Sequence, residues 1–119
     1  MKMSMKEADA VTQVAIAGEM TIYSAGELKE ALLPAVLRGD AVEIDLADVS
    51  EFDTAGLQQL LLARREAIRV GKSFSVREPS GAVRTVLDMY RMDAETLESI
   101  DRPNEAASAS TTPEGRSAK

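Results

Sequence analysis

The chain predicts a two-layer α/β domain with helices mainly on one face of its sheet. Three observations carry that prediction. Segments of alternating apolar and polar residues take turns with segments whose apolar residues recur every three or four positions, giving the order strand, helix, strand, helix, strand, helix. The strand segments alternate strictly, whereas strands covered on both faces read as continuous apolar runs, so one sheet face is left open. Finally, 119 residues at 45% hydrophobic content suffice for one domain with a core. With two Phe, two Tyr and no Trp, that core is aliphatic.

In chain order, residues 1–10 are polar and mixed and read as a flexible lead-in, with room for a short edge strand near Met5. Residues 11–17 form a strand with Val14 and Ile16 on one face, and Gly18 ends it. Residues 19–23 are a loop that carries apolar side chains. Ser24 and Glu27 have capping-box spacing and open a helix with an apolar stripe of Leu28, Ala31, Leu32, Ala35 and Val36. Pro34 kinks that helix or ends its regular part near Leu33. Val42, Ile44 and Leu46 then alternate with Glu43 and Asp45 in a second strand, and residues 47–52 cross to the next helix with Val49 and Phe52 as anchors.

Asp53 or Thr54 caps this second helix, whose stripe is Leu57, Leu60, Leu61 and Ile68. Arg64, Arg65 and Arg69 crowd its second half, where cations suit the C-terminus, and Gly71 is the expected residue just past it. Residues 72–77 alternate again, with Phe74 and Val76 inward. Ser80 caps a third helix with Val83, Val86, Leu87 and Tyr90 on its stripe. Residues 91–97 fit a last strand or a helical turn equally well. The organisation is therefore a lead-in over 1–10, a domain over 11–100, and a disordered tail over 101–119, which has no bulky apolar residue.

Composition removes several functions. Without Cys there is no disulfide, thiolate metal site or thiol nucleophile, and without His the commonest general base is missing, so no catalytic residues are assigned and the chain is expected not to be an enzyme. No cofactor or metal is expected either. A net charge of −6 argues against a nucleic-acid partner. Charge is uneven: residues 1–53 hold 4 basic and 11 acidic residues, while residues 54–78 hold 5 basic and 2 acidic, an asymmetry able to steer a protein partner. The start lacks a long apolar run, and no stretch approaches the roughly 20 apolar residues that span a bilayer. A cytoplasmic protein without membrane insertion is the expectation.

Gly71, Lys72 and Ser73 look like the end of a phosphate-binding loop, but that pattern needs Gly at position 66, where this chain has Glu66. They read as a helix end. Asp45, Asp48, Glu51 and Asp53 lack EF-hand spacing and read as a solvated face and a cap. The strongest motif is Asp53, Thr54, Ala55 and Gly56, a helix-opening turn after an alternating strand. Local chemistry makes it a cap.

The span from residue 11 to about 97 resembles the STAS family, named for sulfate transporters and anti-sigma factor antagonists. The matching pieces are Gly18-Glu19-Met20-Thr21, Val42-Glu43-Ile44-Asp45-Leu46 and Phe52-Asp53-Thr54-Ala55-Gly56-Leu57, with residues 72–76 and 79–87 behind them. The resemblance implies a mixed sheet of four to five strands and a non-enzymatic binding module of a bacterial partner-switching system. Its antagonists are phosphorylated by a partner serine/threonine kinase, itself the anti-sigma factor, on the first hydroxyl residue after the Asp of this turn. Carried over, the phosphoacceptor is Thr54, and partner contacts fall on Asp53, Thr54, Ala55, Gly56, Glu19, Thr21 and Gln58. The chain departs from the common Asp-Ser-Ser/Thr-Gly pattern. Its Asp-Thr-Ala-Gly form is similar to stand-alone STAS proteins of chemosensory systems and to the cytoplasmic STAS subunit of a phospholipid-transport ABC complex. The latter implies docking on an ATPase subunit instead. Oligomeric state is not legible.

Overall fold

Two parallel strand–helix–strand crossovers and one hairpin organise the computed structural model, which describes residues 1–97. The strands are β1 (Lys2–Ala8), β2 (Val11–Met20), β3 (Ala41–Phe52) and β4 (Ser73–Arg77), in sheet order β1-β2-β3-β4. β1 pairs antiparallel with β2, and β2 with β3 and β3 with β4 are parallel. The helices are α1 (Ala25–Val36), α2 (Thr54–Arg69), α3 (Gly81–Met89) and the single turn α4 (Ala94–Leu97). The mixed sheet and two-layer α/β arrangement follow the expectation.

Burial explains the layering. Val14, Ile16, Val42, Ile44, Leu46, Phe74 and Val76 are buried beneath the helices, while the alternate positions Gln13, Glu43, Asp45 and Arg77 line an open groove of about 540 Å³ on the other face. Arg77 and Glu43 pair there at 3.5 Å. Fully burying a Leu such as Leu60 stabilises the fold by about 1.5–3 kcal/mol, and the core holds many such aliphatic side chains.

Several elements differ from the sequence reading. The edge strand allowed near Met5 is present but longer than expected, taking up most of the lead-in as β1, and it is joined to β2 by Asp9 and Ala10 at φ 54° and 68°, the left-handed pair that a two-residue hairpin requires. Gly18 does not end β2, which continues to Met20. Residues 47–52 are not a crossing loop but the second half of β3. Register shifts against β2 place one extra β3 residue between Asp45 and Asp48 and another between Val49 and Glu51. Each bulge shifts the alternation by one, so the buried positions become Leu46, Val49 and Phe52.

Pro34 lies inside α1 without ending it at Leu33: the helix runs on to Val36, forgoing the one ladder bond that a nitrogen at position 34 would have donated to residue 30. The α2 stripe runs through Leu57, Leu60, Ala63 and Ala67, leaving Ile68 46% exposed and Leu61 only half-buried. The Arg-rich end of α2 closes as expected: Gly71 (φ 77°) donates to Ile68 O and Lys72 to Ala67 O, the Schellman pattern. Lys72 Nζ in turn donates to Leu37 O and Gly39 O past the end of α1. The residues resembling a phosphate loop therefore hold carbonyls. Residues 94–97 resolve to a helical turn, with Leu97 buried. The tail expected over 101–119 lies outside the described residues.

Candidate functional site

The end of β3 delivers Asp53 to the start of α2, where its extended backbone (φ −133°, ψ −172°) makes it the N-cap. Oδ1 accepts from Gly56 N at 3.1 Å, the ordinary cap bond. Oδ2 accepts from Ile22 N at 3.0 Å, in the turn that follows β2. One carboxylate thus joins two segments 31 residues apart.

That turn has its own fastening. Ser24 Oγ donates to Glu19 O at 2.8 Å and accepts from Thr21 N at 3.0 Å. The capping box expected of Ser24 and Glu27 is not formed, since Ser24 makes no side-chain cap bond to α1 and its hydroxyl serves the turn instead. Thr21 is 7% exposed, and its hydroxyl accepts from Tyr23 N. The turn therefore folds inward on its hydroxyls and pushes its apolar side chains out: Ile22 is 68% and Tyr23 94% exposed.

Gly56 explains how closely α2 approaches this corner. It is buried, and a Cβ there would run into Met20 O and the Phe52 ring. Thr54 is exposed on the first turn of α2, with Gln58 also exposed four residues on, on the same helix face. Ala55 is half-buried. Thr54 Oγ1 lies 3.2 Å from Tyr90 Oη. Tyr90, expected on the buried stripe of α3, is instead its C-cap and half exposed, beside the exposed Met89.

The structure thus gathers Asp53, Thr54, Ala55, Gly56 and Gln58 with the Thr21 turn, but it gives Thr21 an inward, structural position. Glu19 is exposed, and its carbonyl anchors Ser24. Sequence reasoning included Ile22 and Tyr23 only as part of a docking loop over residues 18–23, and it did not bring Met89 or Tyr90 to this candidate site. Two adjacent apolar residues in a turn were a usable signal for the first pair; nothing in the periodicity marked the second. The acidic residues do not converge: Asp45 accepts from Ala47 N and faces the open side of the sheet. Among the described residues no group of three His, Cys, Asp or Glu side chains is placed to hold a metal. None of their helices is long and apolar enough to cross a membrane.

A family profile described as "Mlab, STAS domain" matches residues 3–99. The chain belongs to the STAS domain family. This STAS domain is 43% identical over 53 residues to the anti-sigma-B factor antagonist of Bacillus subtilis (strain 168). That match takes in 44% of the chain and spans about half (49%) of that relative's length. Among solved structures it resembles an anti-sigma factor antagonist from Mycobacterium paratuberculosis, at 23% identity and TM-score 0.71, covering 91% of this chain and 92% of that one. It also resembles the anti-sigma factor antagonist SpoIIAA in its unphosphorylated form, at 16% identity and TM-score 0.65, covering 89% and 92%. The site around Thr54 thus sits on a STAS domain whose fold these two antagonists share.

Proposed function

We propose that this STAS domain works by docking and not by catalysis, as a cytoplasmic partner-switching module whose Thr54 accepts a phosphoryl group from a partner serine/threonine kinase. Its partner is then an anti-sigma factor protein. The observation that carries this reading is the exposed Thr54 hydroxyl at the N-terminus of a 16-residue helix, in contact with the exposed Tyr90 and adjoining, through Asp53, the turn on which Ile22 and Tyr23 are exposed. A phosphate there adds about −1.5 to −2 charges. A helix N-terminus tolerates an anion, so the domain stays folded. The same charge arrives beside Asp53 and Glu51, and it alters the surface a partner meets. Exposed large apolar side chains gathered at one corner suit a protein partner.

Incubation with ATP and kinases encoded in the same genome tests the proposal. Label on Thr54 that disappears in Thr54→Ala is the expected result. No label, or a label surviving that substitution, overturns it.

A second reading, docking on the ATPase subunit of a phospholipid-transport ABC complex, is favoured by one feature of the site. The Thr54 hydroxyl is already engaged by Tyr90 and Ala55 offers no neighbouring hydroxyl, which suits a contact residue better than an acceptor. Co-purification with a nucleotide-binding subunit, lost in Thr54→Glu, supports this reading. A free protein that never co-purifies counts against it.

A further inference from the structure

The bond between Thr54 Oγ1 and Tyr90 Oη spans 36 residues and ties the first residue of α2 to the C-cap of α3. The backbone beneath Tyr90 is independently fixed. Arg91 N donates to Asp88 O and Met92 N to Leu87 O, with Arg91 at φ 57°, so α3 closes in a Schellman pattern without help from the tyrosine side chain. The ring itself is half exposed. Its hydroxyl is held at Thr54 by a single hydrogen bond between two exposed groups, the kind a local chemical change readily undoes.

We infer that Tyr90 is a latch over Thr54, closed in the unmodified chain and expelled when Thr54 is phosphorylated. This rests on the reading of Thr54 as the phosphoacceptor. In the transfer the Oγ1–phosphorus bond forms as the bond between the β,γ-bridging oxygen and the γ-phosphorus of ATP breaks. ADP leaves, and the hydroxyl proton passes to a base on the kinase. Phosphorylation removes the proton through which Oγ1 can donate to Tyr90, and the phosphoryl group carried on Oγ1 crowds the place of the Tyr90 oxygen 3.2 Å away, which pushes the phenol aside. The exposed Met89 neighbours Tyr90, and the partner-facing surface therefore changes in shape at the end of α3 as well as in charge at the start of α2.

The chain has two Tyr and no Trp, so in the full-length Tyr23→Phe protein the fluorescence comes from Tyr90. Acrylamide quenching of that protein is compared with the same protein carrying Thr54→Val, which keeps the side-chain shape and removes the hydroxyl, or Thr54→Glu. Circular dichroism confirms folding. Thr85→Val, which removes a hydroxyl bonded within α3, serves as the control. Quenching should rise in both Thr54 variants and stay at the parent level in the control. Parent-level quenching in Thr54→Val overturns the latch. With a kinase that labels Thr54, Tyr90→Phe should be labelled faster by roughly two- to tenfold, the range one net hydrogen bond supplies. An unchanged rate overturns the expulsion step. A chain that no kinase labels defeats the phosphoacceptor reading, while the quenching arm, which uses no ATP, still decides whether the latch exists.

Discussion

Asp53 accepts the amide of Ile22 at 3.0 Å while capping α2 through Gly56, so the residue beside the candidate phosphoacceptor also holds the turn that presents Ile22 and Tyr23. Asp53→Ala should cost about 1–3 kcal/mol, a lost cap plus a second lost bond to a charged acceptor. Asp53→Asn, which keeps an oxygen acceptor, should cost less. Urea unfolding reads both as a lower midpoint, and amide exchange at Ile22 should quicken in the alanine variant.

Gly56→Ala sets two effects against each other. Helix propensity favours alanine by about 1 kcal/mol. The added methyl would meet Met20 O and the Phe52 ring, and overpacking against a fixed backbone costs about 1–3 kcal/mol. The clash should win, lowering the melting temperature and moving the amide resonances of residues 20–22 together with those at the start of α2.

Two positions invite stabilisation. Ala10 and Arg91 sit at φ 68° and 57°, in the left-handed region where a side chain costs roughly 1–2 kcal/mol. Ala10→Gly and Arg91→Gly should each raise stability by about 1 kcal/mol, less the entropy glycine adds to the unfolded chain. Each should shift the urea midpoint upward with an unchanged slope.

Acid should loosen α4 as it protonates Asp93. The Asp93 carboxyl is held below its ordinary range because its charged form accepts from the Thr96 hydroxyl and, next, from the Thr96 amide, both at 2.7 Å. A carboxyl depressed in this way contributes stability that is present above the ordinary carboxylate range. It is lost as pH falls through the folded-state value. The Thr96 amide resonance should follow that single titration, and Asp93→Asn should abolish its pH dependence.

The fold was legible where residue type and period agree. The strand alternation at Val42, Ile44 and Leu46, the caps at Asp53 and Ser80, and the helix end at Gly71 all reappear in the structure. Features that used an unexpected residue were hidden. The hairpin at Asp9 and Ala10 has none of the glycine that such turns favour, so the edge strand allowed near Met5 read as shorter than β1 is. Arg91 takes the role that Gly71 plays after α2, so the end of α3 went unmarked. Ser24 matched a capping pattern, but a hydroxyl cannot cap a helix while it donates to Glu19 O and accepts from Thr21 N. At the site, Asp53 and Thr54 were readable because capping chemistry is local. The contact between Thr54 and Tyr90 joins residues far apart in the chain, and no window of sequence contains both.

The two bulges of β3 have a consequence for how this domain tolerates change. A connecting loop absorbs an inserted or deleted residue at its tip. Residues 47–52 are strand, with Val49 and Phe52 fixed in the core and the register to β2 set on both sides of each bulge. Losing one residue there would turn either anchor outward or drag Asp53 back from Ile22. The interval between the open sheet face and Thr54 therefore behaves as a ruler, and its length is as much a part of the site as any side chain on it.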